Sequence, residues 1–399
     1  MIEINFSYIE DSENDRSIWP VLVGEFGSQY GVKVNLHSMT WDNAWGELFA
    51  YTSSNNPPHV SHVGNTWVSS LARLNGLRLF TPNDILGTGG SRAFIVPNWE
   101  SGLSIEDQGI WAIPWTAWTF VICYRKNLLE QAGIDPASAF GTMKATVATI
   151  KRLSESALEI PWLNPRLPNS YRDLLHIAAS WIWASGGDFL DEKGERVLFN
   201  KPEALAGLRD LIATYRFVRP QHRGLTQADN FALFQQGHAA AALVNIRAAN
   251  VFCQEPGELG IAPVTEVPWM GGGSLVIWQN SPGGLSQQRA AIDLVKFLAS
   301  REINIRYWNE AHSLPSRLDA LEQIYPAGHP NREAILYSAQ KGHGYHIASV
   351  WRRIETQLSQ SLGEAIIEAT DNPSVDVDSI LHKHIDSLAR QFENMLDRN

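Results

Sequence analysis

The sequence predicts an α/β protein built as two lobes. Its first third alternates strand-like and helix-like segments. Its 399 residues exceed the length at which a single hydrophobic core usually keeps growing. With 44% apolar and only 19% charged residues, it can bury large cores and is no disordered chain, collagen-like fibre or small disulfide scaffold.

Residues 2–9 alternate as a strand. Ile18, Leu22, Phe26 and Tyr30 then recur at helical spacing, and Gly31 ends that helix. Val32, Val34 and Leu36 alternate in a second strand. Residues 41–53 are helical in pattern, Pro57-Pro58 stops them, 59–63 form a short strand, and 65–74 are the next helix, closed by Asn75-Gly76. This order predicts a mainly parallel sheet with helices on both faces. Ligands of such sheets bind beyond the carboxyl ends of the strands. Tyr8-Ile9-Glu10-Asp11 and Gly64-Asn65-Thr66-Trp67 are two such ends, which makes Tyr8, Glu10, Asn65, Thr66 and Trp67 candidate ligand groups.

Within 109–124 a strand leads to Pro114, a turn carries Trp115 and Trp118, and a second strand runs from Phe120 to Tyr124. A short helix over 125–133 has Gly133 as its C-cap. A helix over 147–156 and a proline-containing loop over 161–168 follow, then a helix over 171–184 ended by Gly186-Gly187. Residues 188–199 have hairpin character, and Pro202 opens a helix that runs to Tyr215. Further on come a short helix (231–236), strands at 239–244, 260–264 and 275–279, helices at 287–299 and 303–308, and a helical tail from Ile347.

The net charge of −10 argues against a nucleic-acid partner, which needs a positive footprint. Fifteen tryptophans point to a face-stacking site as well as a core. Cys123 and Cys253 read as buried free thiols rather than a disulfide or a metal pair. No apolar run is long enough to span a bilayer, which excludes direct membrane insertion. The N-terminus shows no signal-peptide pattern, so either Met1 is a native cytoplasmic start or it was placed on a trimmed mature sequence.

Catalytic and cofactor chemistry finds no motif. His59-x-x-His62 and His343-x-x-His346 have metal-compatible spacing but no neighbouring cysteine and no HExxH pattern. Gly87-Thr88-Gly89-Gly90 lacks the P-loop pattern, and there is no G-x-S-x-G elbow. Glu10, Asp11 and Asp188 would have to converge to serve a glycosidase, and no local motif supports that. The reading is a non-enzyme with no metal and no cofactor.

Several segments also carry a family pattern. They are 57–67 (Pro57-Pro58 through Trp67), Gly109-Ile110-Trp111-Ala112-Ile113-Pro114-Trp115, Tyr124-Arg125-Lys126-Asn127-Leu128 continuing to Ala132-Gly133, Ala184-Ser185-Gly186-Gly187-Asp188-Phe189, Phe234-Gln235-Gln236-Gly237-His238-Ala239-Ala240, and Gly271-Gly272-Gly273-Ser274-Leu275-Val276-Ile277. In this order and spacing they resemble the extracellular solute-binding proteins of ABC importers, family 1, the class that includes maltodextrin-binding proteins. The resemblance covers nearly the whole chain. It implies a periplasmic-binding-protein-like fold with lobe one at 1–110 and 264–312, lobe two at 113–260 and 315–399, and hinges near 110–114, 260–264 and 312–315. It also implies a ligand cleft between the lobes, closure by hinge motion, a monomer, and docking of the loaded form on a membrane permease. Its location would be extracytoplasmic if Met1 replaces a signal segment.

A sugar has apolar C–H faces and a rim of hydroxyls, so its site needs flat rings and forked polar groups. Trp115 and Trp118 follow Pro114 where the family's cleft crosses between lobes. Trp67 follows a strand end, and Asn65 there is as well suited to cap a helix as to bind a ligand. Trp41 and Trp45, four apart on a helix, read first as a core stripe, although Trp41 stands at the helix start near the family's cleft. Trp181 and Trp183 face different sides, and Trp183 is taken as the cleft residue. Asp188 follows the glycine pair, where the family often meets its ligand; a turn carboxylate bound only to water is the alternative. Asn245 and Arg247 follow a buried strand, with Arg247 either a bidentate donor or an interlobe ion pair. Many relatives carry a tryptophan close by, and Ala248 and Ala249 stand there in this chain. Trp269 precedes a glycine run whose Gly272 and Gly273 allow close backbone approach. His343 and Tyr345 lie in a glycine-spaced loop before Trp351, which reads first as core packing, although some sugar binders of the family carry a stacking tryptophan there. A carbohydrate is preferred for the tryptophan surplus. A non-sugar polar solute, a cytoplasmic or sensor-associated binding protein of the same fold, and a sugar-active enzyme are the other readings.

Overall fold

A computed structural model describes residues 1–10, 12–103, 109–165, 171–252, 257–345 and 351–396. Asp11, Cys253, His346, residues 166–168 of the proline-containing loop and the first residues of the tail lie outside them. The chain divides into two compact units, Met1–Trp118 with Met270–Pro326, and Thr119–Trp269 with Ala327–Asn399.

The first unit is a sheet covered on both faces. Strand β1 (Ile2–Glu10) pairs in parallel with β2 (Val32–Thr40) and β3 (Val60–Gly64). Helix α1 (Glu13–Tyr30) joins β1 to β2 and buries Ile18, Leu22 and Phe26; Gly31, at φ 68°, ends it. It starts earlier than its apolar stripe because Asp15 accepts from the Ser12 backbone N–H at 2.8 Å and so holds the first turn. Helix α2 (Trp41–Ser53) follows β2 and buries Ala44 and Leu48. Successive side chains on a strand point to opposite faces. Accordingly Phe6, Val60, Leu275 and Ile277 pack with α1 and the helices Leu285–Leu298 and Arg301–Ala311, while Ile9, Val63 and Val276 pack with α2.

The expected parallel sheet holds only for β1 to β3. Strand β4 (Ile113–Trp118) and, after the other unit's strands, β9 (Gly271–Ile277) and β10 (Leu314–Pro315) extend this sheet in the order β10-β4-β9-β3-β1-β2, every added pairing being antiparallel. Parallel neighbours require a crossover helix, which 1–64 supply; segments arriving from distant parts of the chain are free of that constraint.

The second unit holds a four-stranded sheet, β6-β7-β5-β8, from β5 (Phe120–Arg125), β6 (Ile160–Leu163), β7 (Ala239–Asn245) and β8 (Leu259–Pro263). β5 runs antiparallel to both neighbours. Residues 161–163, expected in a loop, belong to the edge strand β6, where Pro161 is tolerated because an edge leaves one row of N–H groups unpaired. Cys123 is buried in β5. The helices Tyr171–Ala184, Pro202–Arg216, Trp351–Asp371 and Val377–Leu396 are the longest of this unit among the described residues. No helix among the described residues is long and apolar enough to cross a membrane.

Candidate ligand-binding site

In the first unit the candidates sort into core and rim. Trp115 is not in a turn. Ile113–Trp118 is a continuous strand through Pro114, and alternation turns Trp115 inward, 1% exposed, with its ring 5.4 Å from Trp19 and 4.9 Å from Tyr307. Tyr8 lies in the same core, 5.4 Å from Trp19. Burial first, then the charges of Glu10 and Asp15, push its phenol up. Trp118, at the last position of β4, is half-buried. Glu10 is spent on an ion pair with Arg16 at 2.8 Å.

At the end of β3, Trp67 is buried and carries two half-buried indoles edge-on, Trp41 at 5.3 Å and Trp45 at 5.6 Å. Trp41 also lies over Gly64, where an added Cβ would stand 3.3 Å from the indole. Asn65 does not cap a long helix: it opens the short turn Asn65–Trp67, which includes the half-buried Thr66. Its Oδ1 accepts from the Ser274 hydroxyl at 2.8 Å, and its Nδ2 is buried with no partner among the described residues.

The glycine run is not a flexible turn. It is the first half of β9, and its missing side chains are required by packing. Gly272 has φ 145°, and a Cβ there would meet the Thr116 carbonyl oxygen at 2.0 Å; one on Gly273 would meet His62 Nε2 at 2.0 Å. The run is thereby committed to the sheet.

The second unit gathers the candidates most densely. The helix Tyr171–Ala184 places His176, Ser180 and Trp183 along one face by its i, i+4, i+7 spacing. Ser180 Oγ accepts from the Trp269 backbone N–H at 2.8 Å, and the Pro268 carbonyl accepts from the His343 N–H at 2.9 Å. These bonds draw 268–269 and 343–345 onto the helix. Trp183 meets His343 at 4.5 Å and Tyr345 at 5.5 Å, and Tyr345 lies 4.2 Å from the fully buried Trp351. Asp188 accepts from Trp183 Nε1 at 2.9 Å and from the Phe189 N–H at 2.7 Å. Both bonds fall on Oδ1 of this half-buried carboxylate.

Two residues of this cluster have no counterpart among the sequence candidates. His176 stacks on Trp269 and bonds the Tyr345 hydroxyl at 2.7 Å; Phe189 meets Tyr345 at 5.3 Å. The legible signal for His176 is its position two helical turns before Trp183. Asn245 and Arg247 lie at the start of the helix Ile246–Phe252. The Asn245 side chain accepts from the Ala248 N–H at 2.8 Å and so caps the helix Ile246–Phe252, and Arg247 is half-buried in its first turn.

Among the described residues no group of His, Cys, Asp and Glu is placed to hold a metal ion. His59 is buried, with Nδ1 accepting from the Asn5 N–H at 3.0 Å and Nε2 3.0 Å from the Pro282 carbonyl. Within the second unit, Trp183, His343, Tyr345 and Asp188 bring flat rings and a carboxylate together.

A family model described as bacterial extracellular solute-binding protein matches residues 22–333. The diacetylchitobiose-binding protein DasA of Streptomyces coelicolor is 28% identical over 116 residues, which span 28% of this chain and a quarter, 25%, of that curated relative's length. The sugar-binding protein MalE from Xanthomonas citri superposes with a TM-score of 0.81 at 18% identity, covering 99% of this chain and 98% of that one. An ABC transporter solute-binding protein from Thermotoga lettingae, bound with α-D-tagatose, gives 0.78 at 16% identity over 99% and 100% of the two chains. These likenesses establish the periplasmic-binding-protein type of fold.

Proposed function

The chain belongs to the bacterial extracellular solute-binding protein family, and from that premise we propose that it is a carbohydrate receptor that binds its ligand without chemical change and delivers it to the permease of an ABC importer. The observation that carries the choice of carbohydrate is the second unit's cluster, in which the half-buried rings of His343 and Tyr345 lie against the buried Trp183 that bonds Asp188. Flat rings suit the C–H faces of a pyranose, and a carboxylate oxygen suits its hydroxyls. In the first unit, the half-buried Trp41, resting on Trp67 and Gly64, offers a further flat face. Trp115 and Tyr8 lie in the core of the first unit, and Gly272 and Gly273 are held in its sheet. The named binding partners of the relatives, a diacetylchitobiose and a tagatose, are carbohydrates too. We place the protein outside the cytoplasm, acting as a monomer.

A ligand that binds only the folded state raises the apparent melting temperature by mass action. A thermal-shift and tryptophan-fluorescence screen of mono- and oligosaccharides against amino acids, polyols and phosphate esters tests the reading. A saturable response confined to sugars, and lost in Trp183→Ala, is the expected result. A response to one of the other classes alone would remove the carbohydrate while leaving a solute receptor. Turnover of a sugar would make the protein an enzyme.

A further inference from the structure

Along α2, Trp41, Trp45 and Phe49 follow one another at intervals of four, which sets their side chains one helical turn apart along one edge. Packing into the core is the ordinary fate of such a stripe. This one drifts outward: Trp41 and Trp45 are half-buried and Phe49 is 52% exposed. The rings form a connected row. Trp41 and Trp45 share Trp67 as a buried pedestal, and Trp45 meets Phe49 at 6.3 Å between centroids with 41° between planes. Successive positions advance about 6 Å along the helix axis, a step comparable with one pyranose ring.

A second observation points the same way. Gly46 sits in the middle of α2, and a Cβ built on it meets nothing within 4 Å. Glycine is a poor helix former, and packing gives no reason for it here. It leaves the exposed surface beside Trp45 and Phe49 bare. One turn earlier stands the exposed Asp42, and α2 carries no Lys or Arg. Flat faces beside an accepting carboxylate, with no cation, suit an uncharged polyhydroxyl chain.

We propose that this edge of α2 is an extended carbohydrate platform and that the ligand is an oligosaccharide whose successive rings lie over Trp41, Trp45 and Phe49. Asp42 accepts from the hydroxyls, and Gly46 admits the chain close to the helix. The inference rests on the carbohydrate reading and deepens it by setting the ligand's length.

The experiment is calorimetric titration of the wild-type protein with chains of one to five residues, from the malto-, cello- and N-acetylchito-oligosaccharide series. Affinity rises with chain length in the series that binds. Phe49→Ala lowers affinity for the longer members by about two- to tenfold, spares the shortest binder, and is rescued by Phe49→Tyr. Gly46→Ala raises the melting temperature yet weakens the longer chains, a pairing that a purely structural glycine does not produce. Affinity independent of length, or both variants binding every chain as the wild type does, overturns the platform and leaves the carbohydrate reading standing. Wild-type protein that ignores all sugars and binds another solute overturns both.

Discussion

The imidazole of His176 lies flat on the indole of Trp269, with 4.0 Å between ring centroids and 7° between planes. The same imidazole meets the Tyr345 hydroxyl at 2.7 Å. Burial, and after it the charges of Glu355 and Asp173, hold the Tyr345 phenol well above its usual range, so it keeps its proton at neutral pH and is able to donate to Nδ1. One histidine thus ties Trp269, at the end of this unit's first sequence segment, to Tyr345 in its second.

Replacing His176 by Ala removes both contacts and strands a hydroxyl among rings. The expected loss of stability is about 1–3 kcal/mol, read by urea unfolding, and His176→Gln, which keeps a polar partner, should recover part of it. Equal stability of the Ala variant and the wild type would show that the stack is incidental.

Asp188 is expected to matter for ligand more than for fold. Asp188→Ala should weaken sugar binding by about 1.5–3 kcal/mol, the usual worth of a hydrogen bond to a charged group, with Asp188→Asn intermediate. Calorimetry with the sugar found in the screen is the measurement. Undiminished affinity in the Ala variant would detach the carboxylate from the ligand.

Trp115 should behave as a core residue. Trp115→Ala removes a ring packed against Trp19 and Tyr307 and is expected to cost about 3–5 kcal/mol in chemical denaturation. A variant of near-native stability with altered sugar binding would restore it to the site.

Gly272→Ala would push a methyl group into the Thr116 carbonyl at a backbone angle that side chains rarely adopt. Strain and overpacking together predict a loss of about 1–3 kcal/mol or more. Circular dichroism melts of the variant check this, and an unchanged melting temperature would mean that the strand relaxes without penalty.

Acid should destabilise the first unit through His62. Burial lowers its pKa from 6.5 to about 4, opposed by the nearby Asp15 charge. Burial lowers His59 as well, against the Pro282 carbonyl. The unfolded chain then binds more protons than the folded one between those values. The stabilisation is complete above pH 6.5 and is lost as pH falls through about 4, a change on the order of 3 kcal/mol for His62 alone. Urea midpoints across that range should fall less steeply in His62→Gln; identical slopes would clear His62 of the effect.

Much of this molecule was legible locally. The bounds of α2, Trp41–Ser53, and of the helix Tyr171–Ala184 coincide with the reading of the chain, because amphipathic spacing, Gly31, Pro57-Pro58 and Gly186-Gly187 act over a few residues. The alternation of β1 and β2 was equally plain. The site was legible only as residue types. Trp183, Asp188, Trp269, His343, Tyr345 and Trp351 were all singled out, yet nothing in their spacing says that Trp183 bonds Asp188 or that Tyr345 rests on Trp351.

Chain-local chemistry was enough to set the class of fold and most of the elements, since each depends on neighbours one helical turn or one strand step away. Tertiary structure alone decided which aromatics became core and which became rim. Trp115 and Trp41 are the same residue type, and each stood at the edge of a predicted element. Strand pairing through Pro114 turned one toward Trp19 and Tyr307, while the glycine at position 64 and the buried Trp67 left the other half out of the core. That choice is made by segments distant in sequence, which is why composition and periodicity do not contain it.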